Sequence, residues 1–390
     1  MTGGDAGEGG AGGGLRVIGA AEVDAAVPMA AAIAALQSAL RGGLDPETDP
    51  ARSVVPVEHG QLLLMPAQSS RYAGVKVASV APANPALGRP RIQGNYLLLD
   101  ARTLTPLALL DGVALTSIRT AAVSAAAADL LAAPDAERLV LFGTGPQAHS
   151  HLAALRAVRP VRHVTVVGRD RGRVEAFVGA YGSAGRRGGV RGGGAELGLG
   201  GAELGFSDIE LGAGEGWLGV RGGELEHGGG ELRFEADGLM VEACAPGQAA
   251  VEEAIRAADL VACCTTARTP LFDGSALPAH ATVTAVGSHE PDAREVDDAT
   301  VRRSTVVVEA RAAALREAGD VIQPLRAGLL EVDDLVGMAD VVRGKAVADP
   351  ARPRLFKSVG MAWEDLVVAG AAYEAVAGSG EREGDRDGGR

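Results

Sequence analysis

The 390-residue chain carries 50 Asp and Glu against 37 Lys and Arg, a formal charge of −13. No basic stripe interleaved with aromatics is present, which argues against nucleic acid or an anionic membrane as a partner. The length points to two ordinary domains, and 47% hydrophobic residues with only 3% aromatics point to cores of Ala, Val and Leu.

Residues 1–19 read as a disordered leader, glycine-dominated through position 14, without the basic and apolar regions of a signal peptide. "DAAVPMAAAIAALQSALRGG" (24–43) predicts a helix stopped by Gly42 and Gly43. "SVVPVEHGQLLLMPA", "YAGVKVASVAP" and "GNYLLLDARTLTPLALLDG" are strand-like regions between Pro, Gly and Asn punctuation. In the second, Val75, Val77 and Val80 around Lys76 argue that the lysine faces inward rather than standing exposed at a strand end.

"LTSIRTAAVSAAAADLL" (115–131) predicts a buried, alanine-rich helix that nevertheless carries Arg119. A guanidinium stays charged, and burying it unpaired costs several kcal/mol. Either a carboxylate of the chain meets it, with Asp111 and Asp292 as options, or it waits in a solvated cleft for the carboxylate of a ligand. No run reaches the roughly 18 apolar residues that a bilayer crossing requires.

"LVLFGTGPQAHSHL" is an apolar strand, a glycine turn and a helix, with Gly143, Gly145 and Ala148 in the spacing of a dinucleotide-binding turn. The first glycine permits the tight turn, the second lets backbone approach a pyrophosphate, and the small third residue lets the helix pack on the strand. "VTVVGRDRGR" then ends the second strand. Gly168 stands where an acid would bind a ribose diol, and Arg169 and Arg171 flank Asp170. This favours NADP(H), while Asp170 keeps NAD(H) open.

Strands alternating with helices mean a doubly wound parallel sheet, a Rossmann-type α/β domain. From 182 to 236 the pattern gives way to a glycine-dominated stretch, read as a disordered insert. It resumes at "GLMVEACAPG", runs through "ADLVACCTTA" and "ATVTAVGSH", and closes on a turn and helix, "RLFKSVGMAWEDLVVAGAAYEAV", before a disordered tail at 379–390. Cys244, Cys263 and Cys264 fit neither disulfide nor zinc spacing, so no metal and a reducing cytoplasm are expected.

Taken in order, "LLLMPA", "GVKVASVAPANPALGRPRIQGNYLLLDARTLTPLALLDG", "LTSIRTAAVSAAAADLLA", "LVLFGTGPQAHSHLAAL", "TAVGSHEPDAREVDD", "EAGDVI" and "LFKSVGMAWEDLVVAGAAYE" resemble the ornithine cyclodeaminase/μ-crystallin family. The resemblance covers roughly 20–181 and 238–378. It implies a Rossmann NAD(P)-binding domain at 130–330, which holds the insert. It also implies a discontinuous α+β substrate-binding and homodimerisation domain made of 20–129 with 331–378.

The family's T-x-x-R-T-A-A arginine, here Arg119 between Thr116 and Thr120, sits at the mouth between domains and binds the carboxylate of an amino or imino acid. Arg52 stands at a second carboxylate-binding position, and Lys76 at that of the active-site lysine. The cofactor residues implied are Thr116, Arg119, Gly143, Gly145, Pro146, Gln147, Arg169, Thr265, Val286, Gly287, Ser358 and Val359. Ornithine cyclodeaminases carry an aspartate where this chain has His289, a departure shared with the family's ketimine reductases.

The reading that follows is reduction of a cyclic imino acid such as 1-pyrroline-2-carboxylate or 1-piperideine-2-carboxylate. Its proton comes from Lys76, His289 or water. The alternatives are an ornithine cyclodeaminase-type lyase, an alanine dehydrogenase-like enzyme, and a crystallin-like binding protein.

Overall fold

The computed structural model describes residues 14–184, 210–211, 217–220, 223–228, 231–236 and 238–387. Apolar runs between 53 and 111 build one sheet from β2 (Ser53–Val57), β3 (Gly60–Gln68), β4 (Tyr72–Val80), β5 (Ile92–Asp100) and β6 (Pro106–Asp111), successive neighbours pairing antiparallel. A sixth strand, β1 (Arg16–Ile18), runs parallel to β6 and buries Ile18. It lies within the expected leader and corrects it, because one β-branched side chain and a free sheet edge suffice to order three residues.

The expected helix over 24–43 is two, α1 (Ala20–Ala26) and α2 (Met29–Arg41). Pro28 disfavours helical backbone at Val27 and breaks the chain there.

The Asp111 carboxylate accepts hydrogen bonds from Val113 N (2.9 Å) and Ala114 N (2.8 Å), capping α3 (Gly112–Leu131). At 20 residues α3 is long and apolar enough to cross a bilayer, contrary to the sequence reading. It is instead buried within the protein against α2 and two helices defined below. Its alanines let these neighbours come close, joining the core of the first sheet to one face of the second.

The second sheet has at its centre β7 (Arg138–Phe142), β8 (His163–Val167), β13 (Leu239–Cys244), β14 (Leu260–Cys263) and β15 (Thr282–Ala285), ordered β13-β8-β7-β14-β15 and all parallel. This is the Rossmann order 3-2-1-4-5, whose reversal point lies between β7 and β14. α4 (Pro146–Val158), α5 (Arg171–Ala184) and α6 (Ala249–Arg256) make the crossovers. Leu139 and Leu141 face one core while Val140 and Phe142 face the other.

Beyond β15 come β16 (Thr305–Val308), β17 (Val336–Gly337) and β18 (Arg354–Lys357), with β18 inserted between β15 and β16. The last two strands fall in the segment expected to belong to the first domain. "RLF" is apolar enough for a strand covered on both sides. The remaining helices are α7 (Asp298–Arg303), α8 (Arg311–Glu317), α9 (Gly319–Arg326), α10 (Met338–Val342) and α11 (Ala362–Asp387), and α11 crosses back onto α3 and the first sheet.

The expected disorder of 182–236 also needs correction. β9 (Glu210–Leu211), β10 (Trp217–Val220), β11 (Gly223–Gly228) and β12 (Glu231–Ala236) extend the edge of β13 as antiparallel strands. Backbone pairing at an open edge needs no large core. The expected disordered tail is corrected too, since α11 continues to Asp387; the rest of the expected insert beyond Ala184 and residues 388–390 lie outside the described residues.

Candidate active site

Alternation along β4 turns Lys76 inward opposite Tyr96, while its neighbours Val75 and Val77 face the other side. Lys76 Nζ donates to Asp365 Oδ2 of α11 (2.7 Å) and to Thr116 Oγ1 of α3 (3.3 Å). Burial lowers its pKa from 10.5 to about 8; the neighbouring Arg119 adds to this and Asp365 opposes it.

Arg119 rises from α3 one turn further along. It is buried, so the expected solvated cleft gives way to the other option foreseen, a carboxylate of the chain. Its partners are neither Asp111 nor Asp292 but Glu364 Oε2, 2.8 Å from Nη1, and Asp365 Oδ1, 3.4 Å from Nε. Burial works against this cation, but Asp365, Glu364 and Glu309 outweigh it and hold its pKa above the ordinary value. Asp111 is committed to capping α3, and Asp292 pairs with Arg268 at 2.8 Å.

Arg52 reaches the same place from the chain before β2. Its Nη2 donates to Val359 O (2.8 Å) and Gly360 O (2.7 Å), and its Nε meets Glu317 Oε2 at 2.8 Å. Gly360 has φ +74°, and a Cβ there would collide with the Arg119 guanidinium. Both arginines therefore converge on the turn between β18 and α11. Glu309 holds that turn from beneath, accepting from Val359 N (2.9 Å) and Gly360 N (3.1 Å).

Burial, then Glu309, pushes the Glu364 pKa above the usual carboxyl range, and Arg119 opposes that rise. Asp49, raised to about 6 chiefly by burial, accepts from Trp363 N (2.9 Å). Asp49, Arg52, Met65, Gly360 and Met361 line a small cavity beside the cluster. Among the described residues, Arg119 Nη2 and Arg52 Nη1 have no protein partner. Glu364 and Glu317 thus each hold one guanidinium and leave a terminal donor over.

A link runs from here to the glycine turn. Gln147 Nε2 donates to Thr116 O (3.4 Å), while its buried Oε1 has no partner. Gly143 sits at φ +110°, where a Cβ would come within 2.5 Å of Cys264 O. Open space faces Gly145, which with Pro146 begins α4 without a side-chain cap. A close-approach glycine and an uncapped helix start, whose free N–H groups are donors, fit a dinucleotide pyrophosphate.

At the end of β8 a Cβ on Gly168 would come within 2.6 Å of Val174, so no acid stands there. Asp170 accepts from Arg173 N (3.0 Å) at the start of α5, and exposed Arg169 meets no carboxylate among the described residues.

Thr265, after β14, and Gly287, which follows Val286 after β15, are drawn together by Glu295. Ser358 and Val359 lie in the turn that Arg52 and Glu309 grip. His289 is exposed and makes no hydrogen bond to Lys76, Arg52 or Arg119 among the described residues. Close packing around its ring and the Arg52 charge lower its pKa, so it is neutral at pH 7.

Sequence reasoning missed Asp49, Glu309, Glu364 and Asp365. The signal for the last two was present, since Arg119 demanded a partner and "WED" lies in a recognised motif.

A reversal-point glycine turn joined through Thr116 to buried cations with spare donors defines a nucleotide-dependent enzyme for a small carboxylate. The family model for the ornithine cyclodeaminase/mu-crystallin family matches residues 16–187 and 232–380, and the chain belongs to that family. It is 30% identical over 343 residues to a Delta(1)-pyrroline-2-carboxylate reductase of Bacillus cereus, covering 85% of this chain and 88% of that one. It is 29% identical over 352 residues to the ketimine reductase mu-crystallin of Mus musculus, covering 89% and 90%. The Thermococcus litoralis Delta(1)-pyrroline-2-carboxylate reductase, solved with NADH and L-proline, superposes with TM-score 0.74 at 26% identity, covering 94% of this chain and 98% of that one.

Proposed function

We propose that this protein reduces the C=N bond of a cyclic imino acid bearing a 2-carboxylate, 1-pyrroline-2-carboxylate or its six-membered homologue, using NAD(P)H. The observation that carries the reading is the pair of arginines, Arg119 buried and Arg52 half-buried, each held by a chain carboxylate and each with one terminal nitrogen free. A substrate carboxylate meets Arg119 Nη2 and Arg52 Nη1, and Lys76 has a third N–H to offer beyond Asp365 and Thr116. The names of the relatives support the substrate class.

When bound, the reduced nicotinamide supplies a hydride. The chain's residues do the rest. Arg119 and Arg52 orient the ring by its carboxylate, and burial strengthens that grip by excluding water. Lys76, an ammonium at neutral pH with a pKa of about 8, gives the proton to the imine nitrogen. Neutral, exposed His289 is a poorer acid at that pH. It also leaves the chain without the aspartate of a cyclodeaminase, which favours reductase over lyase.

Gly168 and unpaired Arg169 favour NADP(H) over NAD(H). The outer face of the first sheet, where Leu62, Leu64, Val75, Val77, Leu97 and Leu109 lie together, favours a homodimer closed over that face. The two sheets then mark a substrate-binding and dimerisation unit and a nucleotide-binding unit.

The test is consumption of NADPH and NADH with both imino acids, alongside L-ornithine with NAD+. Imine-dependent oxidation, faster with NADPH, supports the reading. Ammonia release from ornithine without net redox change replaces it with the lyase.

A further inference from the structure

Beneath the nicotinamide side of the cleft lies a second buried ionic cluster that the imine chemistry does not use. Glu295 follows the loop after β15 and is fully buried. Its Oε1 accepts from Thr265 N (2.8 Å) and Thr265 Oγ1 (2.7 Å), and its Oε2 accepts from Gly287 N (2.7 Å). One carboxylate thus ties the loop after β14 to the loop after β15. The fit is tight, since a Cβ on Gly287 would come within 2.5 Å of Glu295 Oε1.

The third loop joins through Lys357 at the end of β18. Its Nζ donates to Ser288 O (2.7 Å) and pairs with Asp320 Oδ2 (2.8 Å). Asp320 Oδ1 in turn accepts from Glu295 N (2.7 Å) and Val296 N (3.0 Å). Lys357, Asp320 and Glu295 are all fully buried, and Lys357 directly precedes Ser358.

We propose that Glu295 is the positioning residue of the nicotinamide seat, and that its ionised form holds the loops after β14 and β15, with Lys357 and Asp320 tying in the turn after β18. The proposal rests on the nucleotide-binding reading above. An ionised carboxylate can take all three donors, whereas a protonated one carries a hydrogen of its own and must release part of that grip. The groups facing Glu295 are Lys357 of β18, Asp320 of α9, and the Cys263 and Cys264 thiols at and after the end of β14, which burial keeps neutral. Burial raises the Glu295 pKa from 4.5 to about 7; Lys357 opposes the rise and Asp320 adds to it. The loops are therefore held firmly above neutrality and loosen as the pH falls below it.

The experiment compares whole nucleotide with its fragment lacking the nicotinamide: NADPH with 2′-phospho-ADP-ribose, and NADH with ADP-ribose. Calorimetric affinities are taken from pH 6 to 8.5 for wild type and Glu295→Gln. Taking the ratio of whole to fragment cancels titration of the 2′-phosphate. In wild type the ratio should fall as pH falls through about 7. In Glu295→Gln it should be lower by about tenfold and flat with pH, with fragment affinity kept within about twofold, as for loss of one charged hydrogen bond. A flat wild-type ratio overturns the proposal without any variant, and so does a variant that keeps the wild-type ratio and slope. Wild type that binds neither whole nucleotide nor fragment overturns the nucleotide-binding reading itself.

Discussion

Arg119 carries two duties that its position imposes together. Its Nη1 donates to Glu364 and its Nε faces Asp365 across 3.4 Å, so removing the side chain strands buried acids. Arg119→Leu should lose stability of about 3–5 kcal/mol, seen as a lowered Tm, together with imine turnover. Arg119→Lys keeps the charge but not the fork. It should fold with a smaller loss of Tm while kcat/KM for the imino acid drops by about 10–100-fold, the worth of one charge-assisted hydrogen bond.

Lys76 adds a pH dependence. If its ammonium is the proton donor, kcat/KM should fall as pH rises through about 8. Because its folded pKa lies below the ordinary 10.5, its burial costs stability at neutral pH and that cost fades between about 8 and 10.5. A rate that stays level from pH 7 to 9.5 would assign the proton to water. At this scale the sequence made the cations legible, because a charge in an apolar run stands out. The acids that hold them were not, because Glu and Asp at a helix start read equally well as capping residues.

At the scale of elements, strands and helices with strong periodicity were legible, and the glycine spacing announced the cofactor turn. The misreadings fall at sheet edges, where backbone pairing to an existing strand supplies the order. β1 and β9 to β12 are short strands that add by backbone bonds to an existing edge. The family match passes over 188–231, and the hairpin strands extend the sheet away from the cleft between β7 and β14. Replacing 188–231 by a short Gly-Ser linker should therefore leave kcat for the imino acid within about twofold, since closure cost varies only with the logarithm of loop length. Steady-state kinetics with a thermal melt decides it. Loss of activity in a folded variant would give the added strands a part in the site.

For the whole molecule, the chain folds back on itself: α11, from the far end, supplies Glu364 and Asp365 to cations on β4 and α3. Sequence order alone hides such a juxtaposition, whereas the doubly wound sheet follows directly from alternating strands and helices. The apolar outer face of the first sheet makes a further prediction. Val77, 40% exposed at its centre, is replaced by charge in Val77→Lys, which should convert a dimer to monomer in light scattering while NADPH binding survives. A wild-type monomer would refute it. The central claim is that Arg119 and Arg52 select a cyclic imine by its carboxylate, and one comparison tests it most directly: NADPH oxidation with 1-pyrroline-2-carboxylate against 1-pyrroline, the same ring without the carboxylate. The account predicts rapid turnover of the first and a kcat/KM lower by several orders of magnitude for the second; equal rates for the two rings, or none with either, would contradict it.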